Sequence, residues 1–132
     1  VITKAEILMG REKQYPLTPE LESNLLELLI RLNTIRSAWG KPMKITSGYR
    51  PGIFNTLAKG AVRSKHMTCQ AADIHDPEHA LINWLMAEPN RLRDFGVWIE
   101  HPEDTPTWLH CQIVPPPSGL RVFRVKPAMP LS

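Results

Sequence analysis

Leu21, Leu25, Leu28, Leu32 and Ile35 follow one another at spacings of four and three, a repeat that lays one apolar stripe down the side of a helix. Thr18 suits an N-cap, Pro19 suits the first helical position, and Glu20 and Glu22 fall in the positive first turn. Trp39-Gly40 is a natural stop. A helix over 19–39 is therefore the one long element that the chain predicts, and its stripe is core scaffold. Elsewhere 13 prolines cut the 132 residues into short pieces joined by stiff loops, which weighs against a helical bundle. The length suits a single domain over 1–132 with a genuine core. Its longest apolar run, Leu25 to Leu32, is interrupted by Glu27 and Arg31, so no segment is expected to span a bilayer.

The remaining elements are short. Residues 1–16 read as an extended N-terminal arm with one helical turn near Ile7, Leu8 and Met9. Met43 to Ser47 reads as a strand with Met43 and Ile45 inward, Gly48-Tyr49-Arg50-Pro51-Gly52 as a loop, and Ile53 to Lys59 as a helix ending near Gly60. The polar run from Gly60 to Thr68 has no period, so His66 is expected from a loop. Gln70 to His75 fits a strand with Ala71, Asp73 and His75 on one face and Ala72 and Ile74 on the other. Asp76-Pro77 opens a helix through Met86 that packs Ala80, Leu81, Trp84 and Leu85. Phe95 to Glu100 and Trp108 to Val114 read as strands, the second with Leu109, Cys111 and Ile113 on its apolar face and Trp108, His110 and Gln112 opposite. Residues 115–132 form a proline-rich tail with one edge strand through Val122, Phe123 and Val125.

Two imidazoles, His66 and His110, and one carboxylate, Asp73, make up a ligand set that leaves a zinc ion one position free for water. On residue types alone, the pair His66 and Asp73 more often means a loop histidine in solvent and an aspartate capping a turn than a metal site. Cys69 and Cys111 each lie near a candidate ligand; free buried thiols are expected, rather than a disulfide or a closed thiolate zinc site. The net charge of +3 suits an acidic partner such as wall polymer or nucleic acid. The basic residues, however, are spread out without a stripe or interleaved aromatics, so no nucleic-acid partner is expected.

Ser47-Gly48-Tyr49-Arg50-Pro51, Asn55, Ser64-x-His66-x6-Asp73 and Trp108-x-His110 stand in the order and approximate spacing of the D-Ala-D-Ala carboxypeptidase group of zinc peptidases. This chain resembles that group over Met43 to Gln112, with a motif core of about 43–114. The group includes VanY-type carboxypeptidases and phage L-alanyl-D-glutamate endolysins, and shares its fold with the hedgehog signalling domain. The resemblance implies an α+β fold with a small antiparallel sheet flanked by helices. It also implies Zn2+ held by His66, Asp73 and His110, with Arg50 neutralising a substrate carboxylate or the tetrahedral oxyanion, a task suited to a permanently charged fork of donors.

The chain departs from the pattern at Thr107. Many members of the group carry the catalytic acid three residues before the last zinc histidine, and a threonine there cannot act as a general base near neutral pH. Glu100, at the end of the strand expected beside that of His110, is the first substitute and Asp104 the second, with Glu103 and His101 as outside candidates. Ordinary surface charge on a solvated loop competes with a role for any one of the four. His75 is expected to hydrogen-bond at a strand end, His79 to lie in water, Ser64 to serve turn chemistry, and Trp108 to wall the cleft or join the core.

The expected function is a zinc metallopeptidase that cuts a peptidoglycan stem-peptide bond, either as a D-Ala-D-Ala carboxypeptidase or as an L-Ala-D-Glu endopeptidase. No secretory signal is visible. Synthesis in a host cytoplasm from a phage or prophage gene is therefore expected, with action at the cell wall or periplasm after release, or within a virion beside phage tail proteins. A rival expectation is a catalytically weak or inactive metal-binding module of the same fold, which Thr107 favours. A DNA-associated basic protein would require salt-sensitive DNA binding.

Overall fold

Thr3 and Glu6 close a capping box on α1 (Lys4–Leu8), which ends where Met9 turns left-handed at φ 56°. This comes from a computed structural model of the chain that describes residues 1–57 and 64–125. The expected helical turn of the N-terminal stretch is present, but the stretch is no loose arm. Ile2, Ile7 and Leu8 are buried in the core. Asn33 clasps the backbone of Ile2 in both directions, accepting from its N–H at 2.7 Å and donating to its carbonyl at 3.0 Å. A 3-10 turn at Arg11–Lys13 follows.

The long helix α2 (Pro19–Trp39) starts and stops as its sequence predicts: Thr18 accepts from Leu21 N–H, and Gly40 closes the helix in the left-handed region. Such a cap contributes about 1 kcal/mol. Leu25, Leu28, Leu32 and Ile35 are buried, while Leu21 stays half-buried at the first turn. Arg31 ties the helix to the sheet by donating to the carbonyls of Gly96, at 2.6 Å, and Ile113, at 3.0 Å.

Next come β1 (Ile45–Ser47), α3 (Gly52–Leu57), a 3-10 turn at Lys65–Thr68 and β2 (Ala71–His75). Then follow α4 (Ala80–Met86), α5 (Arg91–Phe95), β3 (Trp98–Glu100), β4 (Trp108–Gln112) and β5 (Val122–Phe123). The five strands form one sheet in the order β1-β2-β4-β3-β5. Its first four strands pair antiparallel, and β5 joins β3 in parallel, so the α+β architecture stands and the sheet is mixed at one edge. Asp73 faces His110 across the β2–β4 ladder, and Ala72 faces Cys111. One face of the sheet therefore puts Ala72, Ile74, Ile99, Leu109 and Cys111 into the core, while the other displays Asp73, His110 and Glu100.

Several boundaries differ from expectation for local reasons. The first strand begins only at Ile45, which is half-buried, although Met43 is buried as expected. The helix expected from Asp76 starts at Ala80, yet Asp76 still caps it, its buried carboxylate accepting from the N–H groups of Leu81 and Ile82 at 3.1 and 3.0 Å. Ala80 is consequently exposed, and Ile82 packs instead. His79 is not simply in water: its Nε2 donates to the carbonyl of Thr105 at 2.7 Å. The strand expected from Phe95 loses its first half to α5 and to Gly96, which is left-handed at φ 71°. The helix end expected near Gly60, the side chain of Asn55, and residues 126–132 of the tail lie outside the described residues.

Cys69 and Cys111 are buried and free of any disulfide. Burial pushes both thiols up to about 12. A thiol reacts as its thiolate, and a raised value keeps that form scarce until pH approaches 12. Neither cysteine should take up iodoacetamide at pH 8 in the folded chain, and both should do so in denaturant; mass spectrometry of the alkylated protein reads the result. Rapid labelling of the native protein would contradict the packing around both residues.

Candidate metal centre

His66 is presented by the 3-10 turn rather than by an irregular loop. Ser64 caps that turn by accepting from the N–H of His66 at 3.3 Å, and the carbonyl of His66 accepts from Arg50 N–H at 3.0 Å. The imidazole donates through Nδ1 to the carbonyl of Gly48 at 2.9 Å, leaving Nε2 3.2 Å from Asp73 Oδ1. From the other side His110 brings Nδ1 to 3.0 Å of the same oxygen. His66, Asp73 and His110 thus offer three ligand atoms all within 4.8 Å of one another. The His66 side chain is 1% exposed, whereas those of Asp73 and His110 are 16% and 14% exposed. The cluster therefore opens toward solvent on the Asp73 and His110 side.

The electrostatics of this cluster suit a cation. Burial alone would raise the Asp73 carboxyl, but its close contacts with His110 and His66 hold it below the usual carboxylate range. Burial also dominates at His66 and lowers it, despite Asp73, so this imidazole stays neutral, the form that binds metal. At His110 burial works against the charge, but the Asp73 bond outweighs it and raises the group. A proton on His110 beside an ionised Asp73 thus puts positive charge among the three donors, where a divalent ion would put more. Two imidazoles and one carboxylate are ligand types that zinc accepts, and three protein ligands leave room for water.

A family model described as Peptidase M15 matches residues 3–104. The chain belongs to the peptidase M15 family. Membership of this family supports a metallopeptidase, in agreement with the α+β fold and with the three-ligand cluster. No curated protein matches the chain. The matched span holds His66 and Asp73 but stops before His110, so the place of His110 in the cluster of this M15 peptidase rests on the β2–β4 register and on its 3.0 Å approach to Asp73.

The other sequence candidates are distributed unequally around the centre. Arg50 lies within the electrostatic reach of Asp73, and its Nε is buried without a hydrogen-bond partner among the described residues. Glu100 ends β3, the strand beside β4, and its charge acts on His110. Asp104 is 4% exposed and engaged at both oxygens by Arg124, at 3.0 Å each, with Glu103 touching the same guanidinium. That pairing closes the loop after β3 onto the segment after β5. His101 Nδ1 accepts from Glu103 N–H within the same loop. Thr107 is exposed, and its carbonyl accepts from Asp76 N–H. His75 is exposed and Trp108 half-buried opposite it.

Two residues that carry the geometry had no role in the sequence reading. Gly48 sits inside the Ser47-Gly48-Tyr49-Arg50 motif, where it looks like a loop glycine. A Cβ there would lie 2.2 Å from the carbonyl oxygen of Ile7, so the position has no space for a side chain. Gln112 shares its strand face with His110, as the alternation predicts, and accepts from His110 Nε2 at 2.8 Å. Phe123 of β5 adds an edge-on ring against His110, with centroids 6.0 Å apart.

Proposed function

We propose that this M15 peptidase is a zinc-dependent hydrolase of a peptidoglycan stem-peptide bond. The convergence of His66, Asp73 and His110 within 4.8 Å is the observation that carries the reading. Bound there, zinc would acidify a water and polarise the peptide carbonyl. Glu100 is the residue for the water's proton: it extends from the strand beside His110, and its carboxylate is of the type that general bases use. Asp104 is the weaker candidate, because Arg124 holds both of its oxygens. Arg50, with a donor in reserve at Nε, would hold a substrate carboxylate or the oxyanion. Action at the cell wall, after release or from a virion, and a phage or prophage source belong to the same reading, on the strength of the resemblance to phage endolysins.

Wild-type protein and Glu100→Gln should each hold one zinc per chain by elemental analysis. Digestion of purified peptidoglycan should fall about 10²- to 10⁴-fold in the variant, the usual contribution of a general base. Fragment masses would tell cleavage at D-Ala-D-Ala from cleavage at L-Ala-D-Glu. Zinc without fragments from the wild type would favour the inactive metal-binding module that Thr107 suggests, and an undiminished Glu100→Gln rate would move the base elsewhere.

A further inference from the structure

Gln112 is a buried amide at the end of β4, 5% exposed, paired across the sheet with Ala71 on one side and Trp98 on the other. A methionine or leucine would fill that space without the desolvation that an amide incurs. Both ends of the amide are used. Its Nε2 donates to the carbonyl of Val114 at 2.9 Å, and its Oε1 lies 2.8 Å from His110 Nε2. A backbone carbonyl can only accept, so the NH2 end must face Val114 and the oxygen must face the imidazole. That oxygen also can only accept, so the hydrogen must stand on His110 Nε2. Nδ1, which points to Asp73, is left as the nitrogen that can turn a lone pair to metal once its own proton is displaced. Gly48 performs the same service for His66 from the opposite side, fixing the hydrogen on Nδ1 and freeing Nε2.

We propose that Gln112 is a positioning residue: braced on the Val114 carbonyl, it sets the tautomer and ring orientation of His110 for metal binding. The inference rests on the three-ligand reading of the centre and adds to it a residue that touches neither metal nor substrate. Hydrogen-bond partners of ligand histidines commonly alter metal affinity by about 10- to 100-fold. A carbonyl performs that task at His66, whereas at His110 it falls to a side chain, which substitution can remove.

The test compares zinc affinity, by competition with a chromophoric chelator, with the thermal stability of the metal-free chain for wild type, Gln112→Met and Gln112→Glu. Methionine keeps the volume and removes the acceptor. Glutamate keeps an oxygen against His110 Nε2 and loses the donor to Val114. Expected is a zinc dissociation constant raised about 10- to 100-fold in Gln112→Met, without a matching fall in melting temperature. Gln112→Glu should bind zinc close to wild type even though it melts lower. Affinity that simply tracks melting temperature in both variants, or wild-type affinity in Gln112→Met, would overturn the positioning role. A wild-type chain that takes up no zinc would instead sink the reading of the centre, and the inference with it.

Discussion

Asp73→Ala should lose stoichiometric zinc and, with it, all detectable cleavage of peptidoglycan. Asp73 is the only anionic member of the three-ligand cluster, and its Oδ1 lies 3.2 Å from His66 Nε2 and 3.0 Å from His110 Nδ1. Four-ligand zinc sites bind with roughly 10–16 kcal/mol, so one ligand is worth about 2.5–4 kcal/mol, or about 10²- to 10³-fold in affinity. The metal-free chain should change as well. Depression of the Asp73 carboxyl means that its stabilising contribution is complete above its unfolded value near 4 and is lost as pH falls through the lower folded value. His110 is raised, so its contribution is present below its unfolded value of about 6.5 and is lost as pH rises through the folded one. The stability gap between wild type and Asp73→Ala should therefore be widest near pH 5–6 and narrow toward both pH 3 and pH 9, as urea melts would measure. An equal gap at all three pH values would mean that the charge pair contributes nothing to folding.

The centre is built from parts that stabilise one another across the sheet. His66 comes from a turn that Ser64 caps, Asp73 and His110 from adjacent strands in register, and Glu100 from the strand beyond. Beneath them Ala72, Ile74, Leu109 and Cys111 close the core. A one-residue slip between β2 and β4 would turn Asp73 or His110 inward and put an apolar residue in its place, so the hydrophobic pattern that fixes the fold also fixes the ligand geometry. The clasp of Asp104 on Arg124 acts at the outer edge, where it holds the segment that carries Phe123 against His110.

What the sequence revealed depended on how local the signal was. The long helix declared itself, because Thr18, Pro19, the leucine stripe and Gly40 agree within one segment. Strand alternation correctly separated Asp73 from Ala72 and His110 from Leu109. The five-residue helix at Arg91–Phe95 is too short to show a period, and Phe95 beside Val97 imitated a strand start. Asp76 signalled a helix cap, but three residues intervene before the helix it caps, one of them the left-handed His79. The three candidate ligands were named through resemblance, since a histidine seven residues before an aspartate is weak evidence by itself. Gln112 could be placed on the right face by alternation, yet its bond to His110 depends on Val114 turning a carbonyl toward it, which no local pattern encodes.

Gly48→Ala should be the most damaging small substitution outside the ligands. No positive φ demands glycine here; the demand is for space. An added Cβ would meet the backbone of Ile7 at 2.2 Å from its oxygen and 2.8 Å from its carbonyl carbon, and backbone cannot swing aside as a flexible side chain can. The same Ile7 oxygen accepts from Tyr49 N–H at 2.8 Å, so parting the two segments breaks that bond. Overpacking costs about 1–3 kcal/mol, and the lost hydrogen bond adds about 1 kcal/mol, a large part of the stability of a chain this size. Displacement of the Gly48 carbonyl would also release His66 Nδ1, which should weaken zinc by about 10- to 100-fold. Urea denaturation and zinc competition on the same sample separate the two effects: lower stability with full affinity would mean that the carbonyl stays in place, whereas no change in either would show that α1 and the loop are not packed against each other. Through this contact the N-terminal helix, far from the cluster in sequence, bears on the nitrogen that His66 turns to Asp73 and to the proposed metal.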